Sequence, residues 1–593
     1  MAKKRETIES QYKWNLDTLF TSDEAWEKTF KEVSNSLGDF EEFKGSLTQD
    51  ADTLYKAFKL SETSGRQLSN LMTYARMKSD ENTKDTHYQG LSARMESLYG
   101  QYREATSFFL PELIQSDEAH IMGLLEDERL KLYTQHISNI LRARPHTLSQ
   151  ESENLLAQAS ELMSTPSNAF GMLSGADLKF PSVEKDGETY DISHGSFVPL
   201  LMNEDRKLRE EVYNKYYGVF TDHKNVFASL LSSEVKKNIF NAKARKHSSA
   251  RASALFENNV PESVYDNLID AVHNNLDAMH EYIDLRKKML GVDELRPYDL
   301  YVPLIDNVDM AFDYESGKQT VLDSLQVLGD DYTSVVEKSY TDGWIDVYEN
   351  EGKRSGAYSW GTYDSKPYIL LNYHDKLSDV FTLTHEMGHS MHSYYTRKTQ
   401  EHVYGNYSIF VAEVASTTNE ALLNHHLLSR VEDKREKLYL LNNYLENFRG
   451  TVFRQTMFAE FERDIHAAVE SGKALTSETL SQMYRDLNEK YYGPSLKVDD
   501  YLSLEWARIP HFYYNFYVFQ YATGFSSAEA LAKKITTEGQ PAIDAYFDFL
   551  SAGCSDYPIE VLKKAGVDMN TSEPVDKALD TFRSLVKEMK SLL

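Results

Sequence analysis

The residues best suited to chemistry lie in one short segment, His385-Glu386-Met387-Gly388-His389. Two histidines four positions apart fall on the same face of a helix, so His385 and His389 can present both imidazoles to one metal ion. Glu386 lies slightly to the side, within reach of a water molecule on that ion. Imidazole ligands with an open coordination position are typical of catalytic zinc. The segment therefore predicts one zinc ion per chain, with Glu386 as a general base.

The surroundings of this pattern matter, because His-Glu-x-x-His is short and also occurs by chance on a solvated helical face. Ser378-Asp379 suits the start of a helix in which Met387 and Met391 take the side opposite the histidines. A face lined with histidines is costly to bury unless an ion or hydrogen bonds satisfy it. His392 is a third histidine on that face, and we expect it to support the site or to pack rather than to bind metal.

A third metal ligand is expected from residues 408–423, which read as a second, mostly apolar helix returning antiparallel to the first. Its polar stripe contains Glu413, Ser416, Thr417 and Glu420. A downstream carboxylate is an established partner for two such histidines, and Glu413 is the predicted ligand. Glu420 is predicted to accept a hydrogen bond from an imidazole. The alternative, that these carboxylates face solvent, is disfavoured by their apolar neighbours.

A second concentration of polar donors lies in residues 510–521, which read as one helix with proline in its first turn. Tyr514, Tyr517 and Tyr521 share a face of this helix, with His511 near its edge. An aromatic stripe at helical spacing usually packs in a core. The alternative is that the hydroxyl and imidazole N–H groups stabilise an oxyanion formed when water attacks an amide.

Between residues 345 and 373 the pattern becomes that of β-strands, with a polar turn at 364–366 immediately before the motif helix. Two such strands would present an exposed edge beside the histidines. An extended peptide can add to an edge of this kind through its backbone. The segment therefore predicts a small sheet that binds a peptide.

Composition excludes several classes of protein. The 593 residues contain one cysteine, Cys554, which rules out a disulfide framework or a thiolate zinc cluster. No stretch approaches the roughly 18 apolar residues of a membrane span, and the basic N-terminus has no apolar segment after it. A formal charge of -28 opposes binding to nucleic acid or to anionic membranes. We therefore expect a cytoplasmic protein.

The chain is predicted to have two domains, 1–200 and 201–593. Amphipathic helices fill residues 18–163, with Trp14 and Trp26 as anchors, and Asp186-Gly187 is a hairpin signal near the end of the first domain. A small basic cluster at 243–251 fits a solvated face or, alternatively, a site for a carboxylate.

With these residues the chain resembles the M3 family of zinc metallopeptidases, in particular its oligoendopeptidase F group. The matching segments cover nearly the whole chain: 12–16, 385–392, Glu413-Val414-Ala415-Ser416 with Glu420, 509–512 and 516–524. The resemblance implies a mainly α, multi-helix oligopeptidase fold with a deep substrate channel, covered by the N-terminal domain, and a small β-sheet next to the zinc helix. It also implies cleavage of short unfolded peptides inside that channel.

Residue by residue, the resemblance makes His385, His389 and Glu413 zinc ligands and Glu386 the general base. It assigns stabilisation of the transition state to His511 and Tyr517. A second tyrosine used by some members has no counterpart at Gly524-Phe525, so Tyr514 or Tyr521 would take its place, with Tyr514 included among the predicted catalytic residues. Two alternatives are kept: a zinc carboxypeptidase of similar helical fold, and a non-catalytic scaffold that binds peptides.

Overall fold

The computed structural model describes residues 3–305, 308 and 310–593. Helices make up 71% of the chain and strands 3%, which confirms the predicted mainly α fold. None of the described helices combines the length and the apolarity needed to cross a membrane.

The elements are as follows. The strands β1 to β5 are Val183–Lys185, Glu188–Tyr190, Ile345–Asp346, Tyr358–Trp360 and Tyr368–Leu370. The α-helices of the described residues, numbered α1 to α26 in chain order, are Asp23–Ser36, Ala51–Glu81, Thr86–Ala105, Phe109–Gln115, Glu118–Leu124, Thr134–Arg142, Gln150–Met163, Thr165–Met172, His194–Leu201, Arg206–Ala244, Ala250–Phe256, Glu262–Asn274, Leu276–Met289, Tyr314–Leu325, Asp330–Thr341, Leu377–Thr399, Ile409–Ala412, Val414–Arg430, Lys434–Phe448, Arg454–Glu470, Ser477–Tyr492, Asp500–Ser503, Phe519–Glu538, Gln540–Ala552, Pro558–Lys564 and Glu573–Leu592.

The chain forms two compact units, each built from three stretches of sequence. The first unit contains Met1–Pro145, Met310–His426 and Leu531–Gly566, and the second contains His146–Asp309, Leu427–Ala530 and Val567–Leu593. These units are not the predicted ranges 1–200 and 201–593, because each unit draws on both ranges. The boundary near residue 200 therefore remains a prediction from the sequence.

The N-terminal helices of the first unit share a hydrophobic core with its sheet. Trp14 and Trp26 are buried there, and Trp26 Nε1 donates a hydrogen bond of 2.9 Å to the carbonyl oxygen of Leu71. Tyr368 and Leu370 of β5 belong to the same core. The two predicted tryptophan anchors are therefore confirmed, and they attach the N-terminal helices to the sheet that precedes α16.

The three-stranded sheet of the first unit has the order β3-β5-β4. The central strand β5 is buried and pairs in parallel with β3 and antiparallel with β4, where Tyr358 faces Leu370 and Trp360 faces Tyr368. The two strands predicted between residues 345 and 373 are thus present, with β3 as a third. Among the described residues β4 has a strand neighbour on one side only, so it is an edge strand.

The second unit is organised around α10, a helix of 39 residues that is about 58 Å long. The predicted hairpin is present: β1 and β2 are antiparallel, and Asp186 and Gly187 between them have φ of 53° and 85°, as a two-residue hairpin turn requires. In the basic cluster, Arg245 pairs with Glu153 at 2.8 Å and Arg251 pairs with Asp266 at 2.6 Å. These two arginines therefore have partners within the protein.

Candidate active site

Helix α16 carries the predicted metal-binding histidines. It begins at Leu377, and the Asp379 carboxylate accepts hydrogen bonds from the backbone N–H groups of His374 and Lys376 at 2.9 and 3.0 Å. Lys376 is the residue just before the helix and Asp379 lies in its first turn, so these bonds fix the path of the chain into α16. Met387 and Met391 are fully buried, so the apolar side of α16 faces the core as the sequence pattern predicts.

The predicted helix at 408–423 is interrupted at Glu413, which corrects the single helix expected there. Helix α17 ends at Ala412, and α18 begins at Val414. The carbonyl oxygen of Glu413 accepts the backbone N–H of Thr417 at 3.0 Å, while the hydroxyl of Ser416 donates to Glu413 Oε2 at 3.1 Å. Glu413 thus starts α18, and Ser416 holds its side chain.

A very close approach of the two helices places Glu413 beside the histidines. A Cβ added to Gly388 would lie 2.5 Å from Ser416 Cα and 2.7 Å from the carbonyl oxygen of Ala415. Any side chain at Gly388 would therefore push α18 away from α16. The glycine inside the motif is explained by this contact.

The three predicted ligand atoms form a nearly equilateral triangle. His385 Nε2 and His389 Nε2 lie 3.2 Å apart, and Glu413 Oε2 lies 3.2 Å from the first and 3.3 Å from the second. Ligands about 2.0–2.1 Å from a tetrahedral zinc ion stand about 3.3–3.4 Å from one another. The spacing and the donor types fit zinc, so His385, His389 and Glu413 would hold such an ion.

The electrostatics of the cluster favour a cation. Burial raises the pKa of Glu413, but hydrogen bonds with His385 and His389 outweigh it and hold that pKa well below the usual range. Burial opposes protonation of His385, but its contacts with Glu413 and Glu420 outweigh burial and raise its pKa to about 10. The Glu420 carboxylate contacts His385 Nδ1, as predicted for a residue that orients the imidazole.

Glu386 lies beside this cluster and is buried, with 7% of its surface exposed. Burial raises its pKa, against the opposing charges of His385 and His389. The backbone N–H of Ser359 on β4 also interacts with the carboxylate, and the Ser359 hydroxyl lies 2.8 Å from that of Ser390 on α16. The edge strand and the carboxylate are therefore held next to each other.

His392 has the packing role expected of it. It is buried, and its ring stacks on that of Tyr407 with centroids 3.7 Å apart. Burial lowers its pKa to about 3, so this imidazole is neutral.

The segment that carries His511 and Tyr517 belongs to the second unit and differs from its prediction. Instead of one helix over 510–521, a 3-10 helix covers Pro510–Tyr513, and α23 begins at Phe519. Between them Asn515 and Phe516 have φ of 47° and 60°, a left-handed conformation that α-helices exclude. The predicted shared face of Tyr514, Tyr517 and Tyr521 is therefore wrong.

A buried carboxyl group stabilises this turn. The backbone N–H of Phe516 donates to Glu462 Oε1 at 2.7 Å, and Glu462 is fully buried on α20. Burial raises the pKa of Glu462 to about 8. No local pattern in the sequence identifies Glu462, because it lies 54 positions before the residue it contacts.

The predicted donors stay close together despite the break. Tyr521 Oη lies 3.4 Å from His511 Nε2, and the His511 ring meets that of Tyr514 edge-on at 5.5 Å. The rings of Tyr517 and Tyr521 are 5.3 Å apart, whereas Tyr514 is 54% exposed. Burial and then the charge of Arg454 lower the pKa of His511, which keeps this imidazole neutral.

Comparison with known proteins shows the family. The sequence profile described as Peptidase family M3 matches residues 200–581, and the one described as Oligopeptidase F matches residues 112–180. Oligopeptidase PepF of Bacillus subtilis (strain 168) is 48% identical over 99% of this chain and 88% of its own length. Group B oligopeptidase PepB of Streptococcus agalactiae serotype III (strain NEM316) is 42% identical over 100% of this chain and 99% of its own.

A solved structure agrees with these matches. The crystal structure of oligoendopeptidase-F from Enterococcus faecium is 40% identical and has a TM-score of 0.75, covering 96% of this chain and 99% of that one. Relatives of this kind argue against the non-catalytic scaffold. The chain belongs to peptidase family M3, a family of metallopeptidases, and within it to the oligoendopeptidase F group, so it is an enzyme that cleaves peptides.

Proposed function

We propose that this enzyme is a zinc-dependent endopeptidase that hydrolyses short unfolded oligopeptides. The observation that carries the proposal is the triangle of His385 Nε2, His389 Nε2 and Glu413 Oε2, with sides of 3.2 and 3.3 Å. These are the donor types and the spacing that zinc requires, and Glu386 stands beside them. A zinc ion held there supplies a Lewis acid and makes water acidic near neutral pH.

Glu386 moves the protons of the reaction. Its carboxylate is buried beside the three predicted ligands, where it can accept a proton from a water molecule at the ion. It takes a proton from the attacking water and then donates that proton to the amine that leaves. The neighbouring histidines cannot do this while their Nε2 atoms hold the ion, because those lone pairs are then occupied.

The edge of β4 binds the substrate backbone in this proposal. An extended peptide adds to an open strand edge through N–H and C=O groups, which all sequences share. Ser359 on this strand interacts through its backbone with Glu386, so a peptide paired with β4 runs past the base. Binding through the backbone fits an enzyme that accepts many peptide sequences.

The remaining assignments stay predictions from the sequence and the family resemblance. They are the stabilisation of the transition state by His511 and Tyr517 with help from Tyr514, the substrate channel and its N-terminal cover, and the domain boundary at residue 200. The contact of Tyr521 with His511 supports Tyr521 as the assisting tyrosine in place of Tyr514. A cytoplasmic location and the absence of nucleic-acid or membrane partners are likewise predictions.

A series of peptides of graded length, analysed by mass spectrometry, tests this function. We expect internal cleavage of short peptides, loss of cleavage after treatment with a chelator, and recovery with added zinc. Peptides with a blocked C-terminus discriminate between the two peptidase classes, because an endopeptidase still cuts them and a carboxypeptidase does not. Cleavage that survives complete removal of metal would contradict the proposal.

The variant Glu386→Gln tests the base. Because the amide cannot accept the proton, we expect kcat to fall by roughly 100- to 10,000-fold. Zinc content should remain that of the wild type, since the three ligands are intact, and metal analysis of the purified variant checks this. The exposed Glu32→Gln, on α1 of the same unit, is the matched control. A Glu386→Gln variant with normal turnover would refute the assigned role.

A further inference from the structure

Two arginines of the second unit share one carboxylate. Arg454 on α20 donates from Nη2 to Glu505 Oε1 at 2.5 Å, and Arg508 donates from Nη2 to the same oxygen at 2.6 Å. The other oxygen of Glu505 accepts the hydroxyl of Tyr484 at 2.7 Å. Both carboxylate oxygens therefore have partners, and the three charged groups together carry one positive charge. The function proposed above gives this cluster no role.

The contact with Glu505 does not use all the donors of the arginines. A guanidinium has five N–H groups in one plane and can give two parallel hydrogen bonds to a carboxylate. Within the described chain Nε and Nη1 of Arg454 have no acceptor, neither atom is fully buried, and 17% of the side chain is exposed. Arg508 is 15% exposed and donates from Nε to Tyr217 at 3.0 Å, while its Nη1 also lacks an acceptor among these residues.

Another pair of arginines in the same unit shows how a structural cluster differs. Arg286 and Arg449 both pair with Glu446, and only 1% and 6% of their side chains are exposed. Each of them also donates to a backbone carbonyl oxygen. Arg454 and Arg508 donate to no backbone carbonyl group of the described residues. Their spare N–H groups therefore do not hold other parts of the fold and remain available to a ligand.

The two arginines lie beside the segment that carries predicted donors to the transition state. Arg508 ends the 3-10 helix Glu505–Arg508, and the next one, Pro510–Tyr513, contains His511. After the larger effect of burial, the charge of Arg454 is what lowers the pKa of His511, so the two side chains are close. A peptide that reaches His511 therefore comes near an unbalanced positive charge.

We propose that Arg454 and Arg508 bind a carboxylate of the peptide substrate and so determine which peptides bind well. The two guanidinium groups offer several N–H donors to the oxygens of a carboxylate, whose charge balances the cluster. The C-terminal carboxylate of a short peptide and the side chain of an aspartate or glutamate share this chemistry. Glu505 already holds both arginines, which reduces the entropy lost on binding. This role rests on the proposed cleavage of oligopeptides.

Kinetics of the zinc-loaded, full-length enzyme with matched peptides test this role. One peptide has a free C-terminus and no acidic side chain, and its partner has a C-terminal amide. A second series, amidated throughout, carries a glutamate or a glutamine at each position in turn. Removal of the bound carboxylate should raise the wild-type KM by roughly 10-fold, because hydrogen bonds between charged groups are lost. A rise on amidation identifies the C-terminal carboxylate, and a rise from glutamate to glutamine identifies the side chain. The amides should still be cut, at the higher KM.

The variant Arg454→Met ties the effect to the cluster. It removes the charge but keeps a long side chain, and Glu505 retains Arg508 as a partner. The ratio of KM between the peptides without and with the bound carboxylate should fall toward unity, since the interaction then has one partner missing. Arg454→Lys keeps the charge and should restore part of that ratio. Damage to the fold would affect all the peptides alike and would leave the ratio at its wild-type value.

The control Lys288→Met removes an exposed positive charge from α13 of the same unit and should leave the ratio unchanged. If the wild type cuts all the peptides with the same KM, the role of the two arginines is refuted while the proposed function stands, and this result needs no variant. A wild-type ratio in Arg454→Met would refute it as well. If none of the peptides is cut, the proposed function fails and this role fails with it.

Discussion

Substitution of Glu420 distinguishes two effects on the predicted zinc site. One is the negative charge beside His385, and the other is the orientation of the His385 imidazole. The Glu420 carboxylate contacts Nδ1 of His385, while Nε2 of the same ring stands 3.2 Å from Glu413 Oε2. A neutral imidazole carries one proton, and a carboxylate at Nδ1 keeps that proton there. The lone pair on Nε2 is then available for the ion. In the proposed zinc site, Glu420 therefore acts on the metal through His385.

The size of the effect follows from what each variant leaves in place. Glu420→Gln keeps an oxygen that can accept the Nδ1–H bond but removes the negative charge, so zinc affinity should fall by about 10-fold. Glu420→Ala removes both, so the affinity should fall by about 100-fold. These factors correspond to about 1.4 and 2.7 kcal/mol. Glu413→Gln should cost more than either, because it removes one of the three ligand atoms.

Competition for zinc against a chromophoric chelator at fixed pH gives the dissociation constants. Glu32→Gln, exposed on α1, serves as the matched control and should bind zinc as the wild type does. At saturating zinc the Glu420 variants should recover most of the wild-type kcat, since Glu386 is intact. Equal zinc affinity in wild type and Glu420→Ala would refute the reasoning. A large loss of kcat with normal affinity would show that Glu420 acts on the reaction itself.

Three further predictions follow, two from single contacts and one from the buried His466 of α20. Gly388→Ala should displace α18 at Ser416, which should lower zinc affinity and reduce the free energy of unfolding by about 1–3 kcal/mol. Chelator competition measures the zinc affinity and urea unfolding measures the stability. An unchanged zinc affinity would contradict the close approach of the two helices. Glu462→Ala should leave the buried N–H of Phe516 unpaired and lower kcat, while Glu462→Gln keeps an acceptor and should keep most of the activity. The kcat values of the two variants are compared. An equal loss of kcat in both would show that Glu462 does not act by holding the turn at Phe516. Burial lowers the pKa of His466 to about 4, so between that value and about 6.5 the unfolded chain binds a proton that the folded chain does not. The stabilisation by neutral His466 is complete above that window and should be lost as the pH falls through it, by up to about 1.4 kcal/mol per pH unit. Urea unfolding at several pH values should show that the free energy of unfolding depends less on pH in His466→Gln than in the wild type. The same pH dependence in both proteins would refute the role of His466.

The convergence of His385, His389 and Glu413 could be predicted from the sequence because its signals are local. Two histidines one turn apart, an apolar stripe opposite them and a carboxylate on the next segment each follow from helical periodicity. The hairpin at Asp186-Gly187 and the strands before α16 were predictable for the same reason. In each case the residues that fix the conformation lie within a few positions of one another.

The segment from Pro510 to Tyr521 shows where such reasoning fails. Its composition fits a helix, and although Asn tolerates the left-handed region, nothing marks Phe516 as left-handed, a conformation that costs most non-glycine residues about 1–2 kcal/mol. The compensation comes from tertiary structure, since Glu462 on α20 accepts the N–H of Phe516. A turn held by a distant buried group leaves no periodic signal, so its helical prediction was wrong.

The break at Glu413 has a different origin and a consequence for the ligand. An uninterrupted helix over residues 408–423 would continue through Glu413, whereas the observed turn starts a new helix there and lets Ser416 bond its carboxylate. The same Ser416 touches the backbone of α16 at Gly388. One pair of residues therefore sets both the distance between the helices and the direction of the ligand. An isolated His-Glu-x-x-His is compatible with a solvated helix; in this chain a residue without a side chain allows the second helix to come close enough for three ligand atoms to converge.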